Sequence, residues 1–286
     1  MSAVLLLLLA PLFTGCLKWV KARLQNRQGP GPLIDYFNLL KLAQKSYIVP
    51  ETASAVFLLG PSLSFLGAVL AATMLPVFPG LSFTGDFLLV LYLLNLGRFF
   101  QALAALDSGS AFGGQGSYRE SLVAVLTEPG TILALSAVAL SSQELSLASL
   151  APLSAQNLLV YALALAALLL SLVAEGARMP VDDPATHLEL TMIHEAQLLD
   201  HSGPLLALYE LASGVKMLSY LALASLLLPL SHVLAFLLMV VLGLAGLAII
   251  ETYGVRLRYL RLPDLLTYNT LAGILAMLGV VLRFRI

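Results

Sequence analysis

Eight uninterrupted apolar runs constrain this chain more than any other feature: residues 2–20, 53–75, 86–106, 121–141, 156–174, 204–228, 233–252 and 265–282. Each is close to the roughly 20 residues that a helix needs to cross a hydrocarbon core of about 30 Å. In that medium every backbone N–H and C=O must be satisfied within the segment, which leaves helices or a closed barrel. The runs show no alternation of apolar and polar residues, so the barrel is excluded. The pattern predicts an all-α polytopic membrane protein of about eight transmembrane helices, a single integral-membrane domain over 1–286. Composition agrees, since 59% hydrophobic and 11% charged residues, with a mean hydropathy of +0.94, leave too few polar groups to coat a soluble domain of this size.

A net charge of −1 gives no overall basic surface for nucleic acid. The single cysteine, Cys16, cannot form an internal disulfide, nor by itself hold an iron–sulfur cluster or a structural zinc. Any redox centre is therefore expected on another chain. The stretch Leu12-Phe13-Thr14-Gly15-Cys16 loosely resembles a lipoprotein cleavage box, but no positive region precedes it. Lys18, Lys21 and Arg23 follow the apolar run instead, which favours a retained first helix with its N-terminus outside.

Lysine and arginine placement supports that orientation. The loops 76–85, 142–155 and 229–232 carry none, whereas the alternate connections carry Lys18, Lys21, Arg23, Arg27, Lys41, Lys45, Arg119, Arg178, Arg256, Arg258 and Arg261. Only Arg283 and Arg285 fall at the other side. The expectation is a cytoplasmic (inner) membrane protein with both termini on the outer side and all long polar loops inside.

The first long loop, 21–51, contains Gly29-Pro30-Gly31-Pro32. After this break Leu33, Tyr36, Phe37, Leu39, Leu40 and Ala43 recur at helical spacing, with Asp35, Asn38, Lys41 and Lys45 between them. This predicts a short amphipathic helix at the membrane surface, either under a partner protein or facing lipid alone. Pro61 marks a kink in the second run and Pro229 a stop after the sixth; Gly243 and Gly246 suggest close helix approach in the seventh. Phe112-Gly113-Gly114-Gln115-Gly116 has no strand before it, which argues against nucleotide binding and for a flexible or tightly turned loop.

Ionisable residues inside spanning helices are costly and each is a functional candidate. Glu210 and Lys216 fall in the sixth run, Glu128 in the fourth and Glu175 at the end of the fifth. Glu210 and Lys216 are about 120° apart around a helix and must find partners on different helices. A proton or cation path is one reading and a register-fixing ion pair the other. For Arg98 and Glu251, which could also snorkel or cap, the structural ion pair is the favoured reading. The region from Glu175 to His201 holds Arg178, Asp182, Glu189, Glu195 and three of the four histidines. His187, His194 and His201 recur every seven residues; on a continuous helix over 185–201 they would line one face about 10 Å apart, a spacing that suits a water-bridged proton relay. Chance spacing on a polar surface helix is the alternative. Seven-residue spacing is too long for one metal ion, and no zincin, phosphate-loop or nucleophile-elbow pattern is present.

Several stretches resemble the subunit that respiratory complex I shares with membrane-bound group 4 [NiFe] hydrogenases and formate hydrogenlyase. Arg27-Gln28-Gly29-Pro30, followed by Lys41, Lys45 and Pro50, is similar to the family's first loop. Glu175-Gly-Ala-Arg178-Met-Pro180-Val-Asp182 is similar to its signature before the sixth span. Val181 and Asp200-His201 depart from the quinone-reducing branch. Pro184-Ala-Thr-His187-Leu-Glu189-Leu-Thr-Met-Ile-His194-Glu195-Ala and Leu106-Asp107-Ser-Gly109-Ser-Ala-Phe112-Gly113-Gly114, running on to Arg119-Glu120 and Glu128-Pro129, resemble the hydrogenase branch.

The resemblance implies a non-catalytic anchor subunit that docks soluble hydrogenase large and small subunits and an iron–sulfur subunit, and that adjoins antiporter-like membrane subunits. The [NiFe] centre and iron–sulfur clusters are expected on those partners, with none on this chain. Loops 21–51, 107–119 and 175–203 would form the docking floor, with Arg27, Asp107, Arg119, Glu120, Arg178 and His187 as docking residues. Coupling to proton or sodium movement would fall to Glu128, Glu175, Asp182, Glu189, His194, Glu195, Glu210 and Lys216. A quinone-binding subunit of an NADH:quinone oxidoreductase is the alternative.

Overall fold

The computed structural model describes residues 2–78, 85–148, 150, 157–182 and 192–283. Eight of its helices are long and apolar enough to cross a membrane. They are α1 (Ser2–Leu24), α3 (Ala55–Met74), α4 (Phe87–Asp107), α5 (Ala111–Ser142), α6 (Leu158–Glu175), α8 (Gly203–Ser225), α9 (His232–Tyr253) and α10 (Leu262–Arg283). Two shorter helices, α2 (Ile34–Ala43) and α7 (His194–Leu198), lie between them. The spans pack as α3 on α4 and α8, α5 on α6 and α10, and α1 on α8 and α9.

The long connections gather at one end, tied by side chains of the helix termini. Asp107 at the end of α4 accepts the N–H groups of Ser54 at 2.7 Å and Phe57 at 3.0 Å, and so neutralises the exposed donors that begin α3. The Ser108 hydroxyl donates to Asp200 at 2.8 Å, and the Ile48 N–H donates to Ser202 at 3.0 Å. At the opposite end Asp86 and Ser146 form a bridge.

α2 has the predicted amphipathic character, arranged around one ion pair. Asp35 turns inward to Lys18 at 2.5 Å and accepts from Asn38, while Leu33, Phe37 and Leu40 on the other face are exposed. Close approach to α1 requires Gly15, where a Cβ would fall within 3.0 Å of the Pro32 backbone.

Three expectations need correction. α5 begins at Ala111, not near 121, so Phe112–Gly116 is helix and most of loop 107–119 is its first two turns. The Ser110 hydroxyl accepts from the Gly113 N–H at 3.0 Å and caps this start, and the glycines serve packing: a Cβ on Gly113 would lie 2.4 Å from Ala105 O, and one on Gly116 3.0 Å from Ile193 O. The continuous helix over 185–201 does not extend through the described part of that range, where only α7 is α-helical. Asp182 accepts the N–H groups of Ile193 at 3.2 Å and His194 at 2.9 Å, which starts the helix there, and it gives way to a turn at Leu199–Asp200. In the seventh span a Cβ on Gly243 would meet Leu221 of α8 at 2.6 Å, but one on Gly246 would meet nothing within 4 Å among the described residues, so no close approach depends on it.

Candidate functional site

Four helices bring together charges that are far apart in sequence. Arg98, well inside α4, pairs with Glu120 at 3.4 Å and Glu128 at 3.8 Å on α5, and with Glu175 at the end of α6. Lys216 of α8 approaches the other carboxyl oxygen of Glu175 at 2.5 Å. The Arg98 and Glu175 side chains are only 6% and 1% exposed, so neither charge is satisfied by bulk solvent and each depends on the other. Two cations face three carboxylates, which leaves one formal negative charge in excess when all are ionised.

Small residues direct Arg98 into this position. A Cβ on Gly67 would lie 2.7 Å from Leu93 O, and one on Gly97 would lie 3.1 Å from Ser64 O. α3 and α4 are therefore nearly in backbone contact, and the arginine beside Gly97 reaches α5 and α6 instead.

Beside the cluster is a void of about 20 Å³ bordered by Gln101, Glu120, Glu175, His194 and Lys216. Towards the loop-bearing end lies a larger pocket of about 270 Å³, built from α1, α2, α7, α8 and the chain after α6. Its charged lining includes Lys18, Asp35, Arg178, Asp182, Glu195 and Glu210. His194 and Ser213 border both cavities.

The pocket wall is held by two further sets of ion pairs. Asp182 receives Arg256 at 3.0 Å, and Glu251 receives Lys21 at 3.0 Å and Arg178 at 3.2 Å. Gln101 donates to Gln197 at 3.0 Å and lies 3.4 Å from His194 Nδ1, so α4 and α7 are linked by amides. His201 is elsewhere, stacked on Phe57 at 4.1 Å and edge-on to Tyr209 at 5.0 Å. Burial in this aromatic slot pushes its pKa below the ordinary 6.5.

The structure thus places Glu128, Glu175 and Lys216 in one cluster, with Asp182, His194, Glu195 and Glu210 around the adjoining pocket. Glu189 and His187 lie outside the described residues. His194 and His201 do not share a helix face. Of the expected docking residues, Arg27 is exposed, whereas Glu120 is buried in the cluster and Asp107 caps α3. Arg119 donates to Met192 O at 2.9 Å and lies over Tyr259, and Arg178 holds Glu251. Arg98 and Glu251 are both buried among opposite charges, in the ion pairs expected of them, and Arg98 is the hub. The signal for Arg98 is its mid-helix position, too far from either end for its head group to reach water easily.

A multi-pass helical bundle with buried ion pairs beside a polar pocket is the class of protein that this fold and site define. Residues 1–282 match the NADH dehydrogenase family, and the chain belongs to it. It is 35% identical over 221 residues to hydrogenase-4 component C of Escherichia coli (75% of this chain, 69% of that one). It is 34% identical over 211 residues to formate hydrogenlyase subunit 4 of the same organism (71% and 67%). It is 31% identical over 230 residues to a subunit of the NADH-quinone oxidoreductase of Thermomicrobium roseum (70% and 67%). The fold is also that of a chain in the membrane-bound sulfane sulfur reductase, an archaeal respiratory membrane complex, with a TM-score of 0.83, 19% identity and 98% of each chain covered.

Proposed function

We propose that this chain is the ion-translocating membrane anchor of a complex I-like [NiFe] hydrogenase, coupling hydrogen evolution or oxidation to ion movement. The soluble large and small hydrogenase subunits and an iron–sulfur subunit dock on its loop-bearing end, which faces the cytoplasm, and antiporter-like membrane subunits extend the arm. A lone cysteine within α1 does not fit a [NiFe] centre or an iron–sulfur cluster, so those groups belong to the partners. The observation that carries the coupling reading is the Arg98 cluster, beside a small cavity that shares His194 and Ser213 with the charged pocket.

Redox turnover on the docked arm changes the charge or protonation of the pocket groups Asp182, Glu195 and Glu210. In a low-dielectric interior such a change alters the balance among Arg98, Glu175 and Lys216. Relatives named as hydrogenase-4 and formate hydrogenlyase components match more closely than a relative named as part of a quinone oxidoreductase, which supports the hydrogenase reading over the quinone one.

The test is ion pumping by membrane vesicles carrying the whole complex. Lys216→Met and Glu210→Gln are expected to lower the number of ions moved per hydrogen turned over without lowering hydrogenase activity towards an artificial dye. Unchanged pumping in both variants would refute the coupling role.

A further inference from the structure

Two residues border both the polar pocket and the buried void, and His194 is the one that can exchange protons. Its position is held from two directions. Asp182 accepts its backbone N–H at 2.9 Å, and Gln101 Nε2 lies 3.4 Å from its Nδ1. That amide nitrogen, a donor only, also donates to Gln197 Oε1 at 3.0 Å. One amide hydrogen for each acceptor makes Nδ1 the lone-pair nitrogen and puts the proton of the neutral ring on Nε2.

We propose that the ion exchanged between pocket and cluster is a proton, carried by His194, and that an alkali cation does not pass this neck. The proposal rests on the coupling reading above and names its ion and its transfer group. Nδ1, the nitrogen with the lone pair, takes a proton from one cavity, and the resulting imidazolium releases the proton on Nε2 to the other. The ring ends neutral, one proton has moved and no electron has. Protonation at Nδ1 requires Gln101 to turn its oxygen to the ring. Among the described residues Gln197 Nε2 is buried without a hydrogen-bond partner, so a matching turn of Gln197 lets it donate to that oxygen and the amide pair keeps its hydrogen bond.

The surrounding charges favour a proton over a metal cation. On the pocket side lie Asp182, Glu195 and Glu210, with Arg178 among them. On the void side Glu120 and Glu175 stand as acceptors, while Arg98 and Lys216 repel any cation. The carboxyl oxygens of Glu175 already face those two cations.

The experiment reconstitutes the whole complex in sealed proteoliposomes and measures protons moved per hydrogen turned over, with sodium varied at constant ionic strength. His194→Ala should lower that ratio by about tenfold or more, and added imidazole should restore part of it. The wild-type ratio should not require sodium. His194→Asn, which keeps a hydrogen-bonding side chain beside Gln101, should be equally defective while the complex remains assembled. A wild-type ratio in either variant would overturn the proposal, as would a loss that imidazole does not rescue or a strict sodium requirement at fixed pH. If Lys216→Met stops pumping while His194→Ala does not, coupling stands and the histidine carrier falls. If both variants pump normally, the coupling reading itself falls.

Discussion

Two polar centres are buried among the spans, and they differ in kind. Around Asn269 of α10 every group is neutral. Its amide donates to Thr127 O at 2.9 Å and Ser171 Oγ at 3.1 Å, and the Ser171 and Thr131 hydroxyls lie 2.8 Å apart. Glycines bring the helices together here, since a Cβ on Gly273 would sit 2.5 Å from Gly130 O. Around Arg98 the groups are charged, the formal charges do not cancel, and a void and a pocket adjoin them. A bundle that needed only register would use the first arrangement, in which neutral polar atoms are joined, although Asn269 Oδ1 has no hydrogen-bond partner among the described residues. Keeping charges and space in the second is explained by movement of charge, not by stability.

The comparison breaks most sharply at Arg98. Arg98→Met leaves three carboxylates with Lys216 as their only cluster cation, and removing one partner of a buried pair costs about 3–5 kcal/mol. Loss of the folded subunit from the membrane, read by immunodetection and by thermal midpoint in detergent, is the expected outcome. A normally abundant, normally stable Arg98→Met protein would mean that the cluster charges are not interdependent.

Glu175 and Lys216 sharpen the comparison through a double-mutant cycle. Glu175→Gln alone strands Lys216, and Lys216→Met alone leaves Glu175 with Arg98. The double variant should be more stable than the sum of the two single effects allows, by about 1–3 kcal/mol, because the pair is removed together. Thermal or denaturant unfolding of the four proteins measures this coupling. Strict additivity would separate the two residues and dissolve the cluster as a unit.

How much of this can be read from the chain differs between the same two regions. The spans are legible because hydropathy is a property of each segment alone, and the amphipathic α2 because its period is local. The Arg98 cluster is only partly legible. Glu175 and Lys216 stand out as charges in apolar runs, but their being partners depends on α6 ending beside the middle of α8, which no local pattern encodes. Arg98 stands out by its mid-helix position, but its partners do not, because a sequence does not show that Gly67 and Gly97 bring α3 against α4. Asn269 gives no signal, since a single amide in an apolar run looks alike whether it faces a neighbour or lipid. The periodic histidines mislead for a related reason: a carboxylate twelve residues before His194, that of Asp182, sets where α7 starts, and that capping bond is tertiary.

At the neutral centre the effects should be smaller and confined to stability. Asn269→Leu removes the amide donor to Thr127 O and Ser171 Oγ, and interhelical hydrogen bonds in membranes contribute about 0.6–2 kcal/mol. The thermal midpoint should fall accordingly, with ions moved per hydrogen unchanged in the surviving complex. A variant that folds normally but pumps poorly would place Asn269 on the ion path and erase the contrast.

His201 offers the finest test, because it is an ionisable group packed as dryly as Asn269. It is 4% exposed and lies between Phe57 and Tyr209. Burial lowers its pKa below the ordinary 6.5, so under mildly acidic conditions the unfolded chain binds a proton that the folded chain refuses. Stability then rises with pH where the unfolded state holds more protons, and this contribution is lost as pH falls below the ordinary value towards the depressed one. The thermal midpoint of the wild-type protein should therefore decline between pH about 7 and about 5, and His201→Phe, which keeps a flat ring in the slot, should flatten part of that decline. The variant should leave the proton ratio alone, since His201 borders neither cavity. A pH slope identical in both proteins would show that the imidazole is not held neutral by its packing, and ionisable groups in dry and in cavity-lined surroundings would then no longer be distinguished.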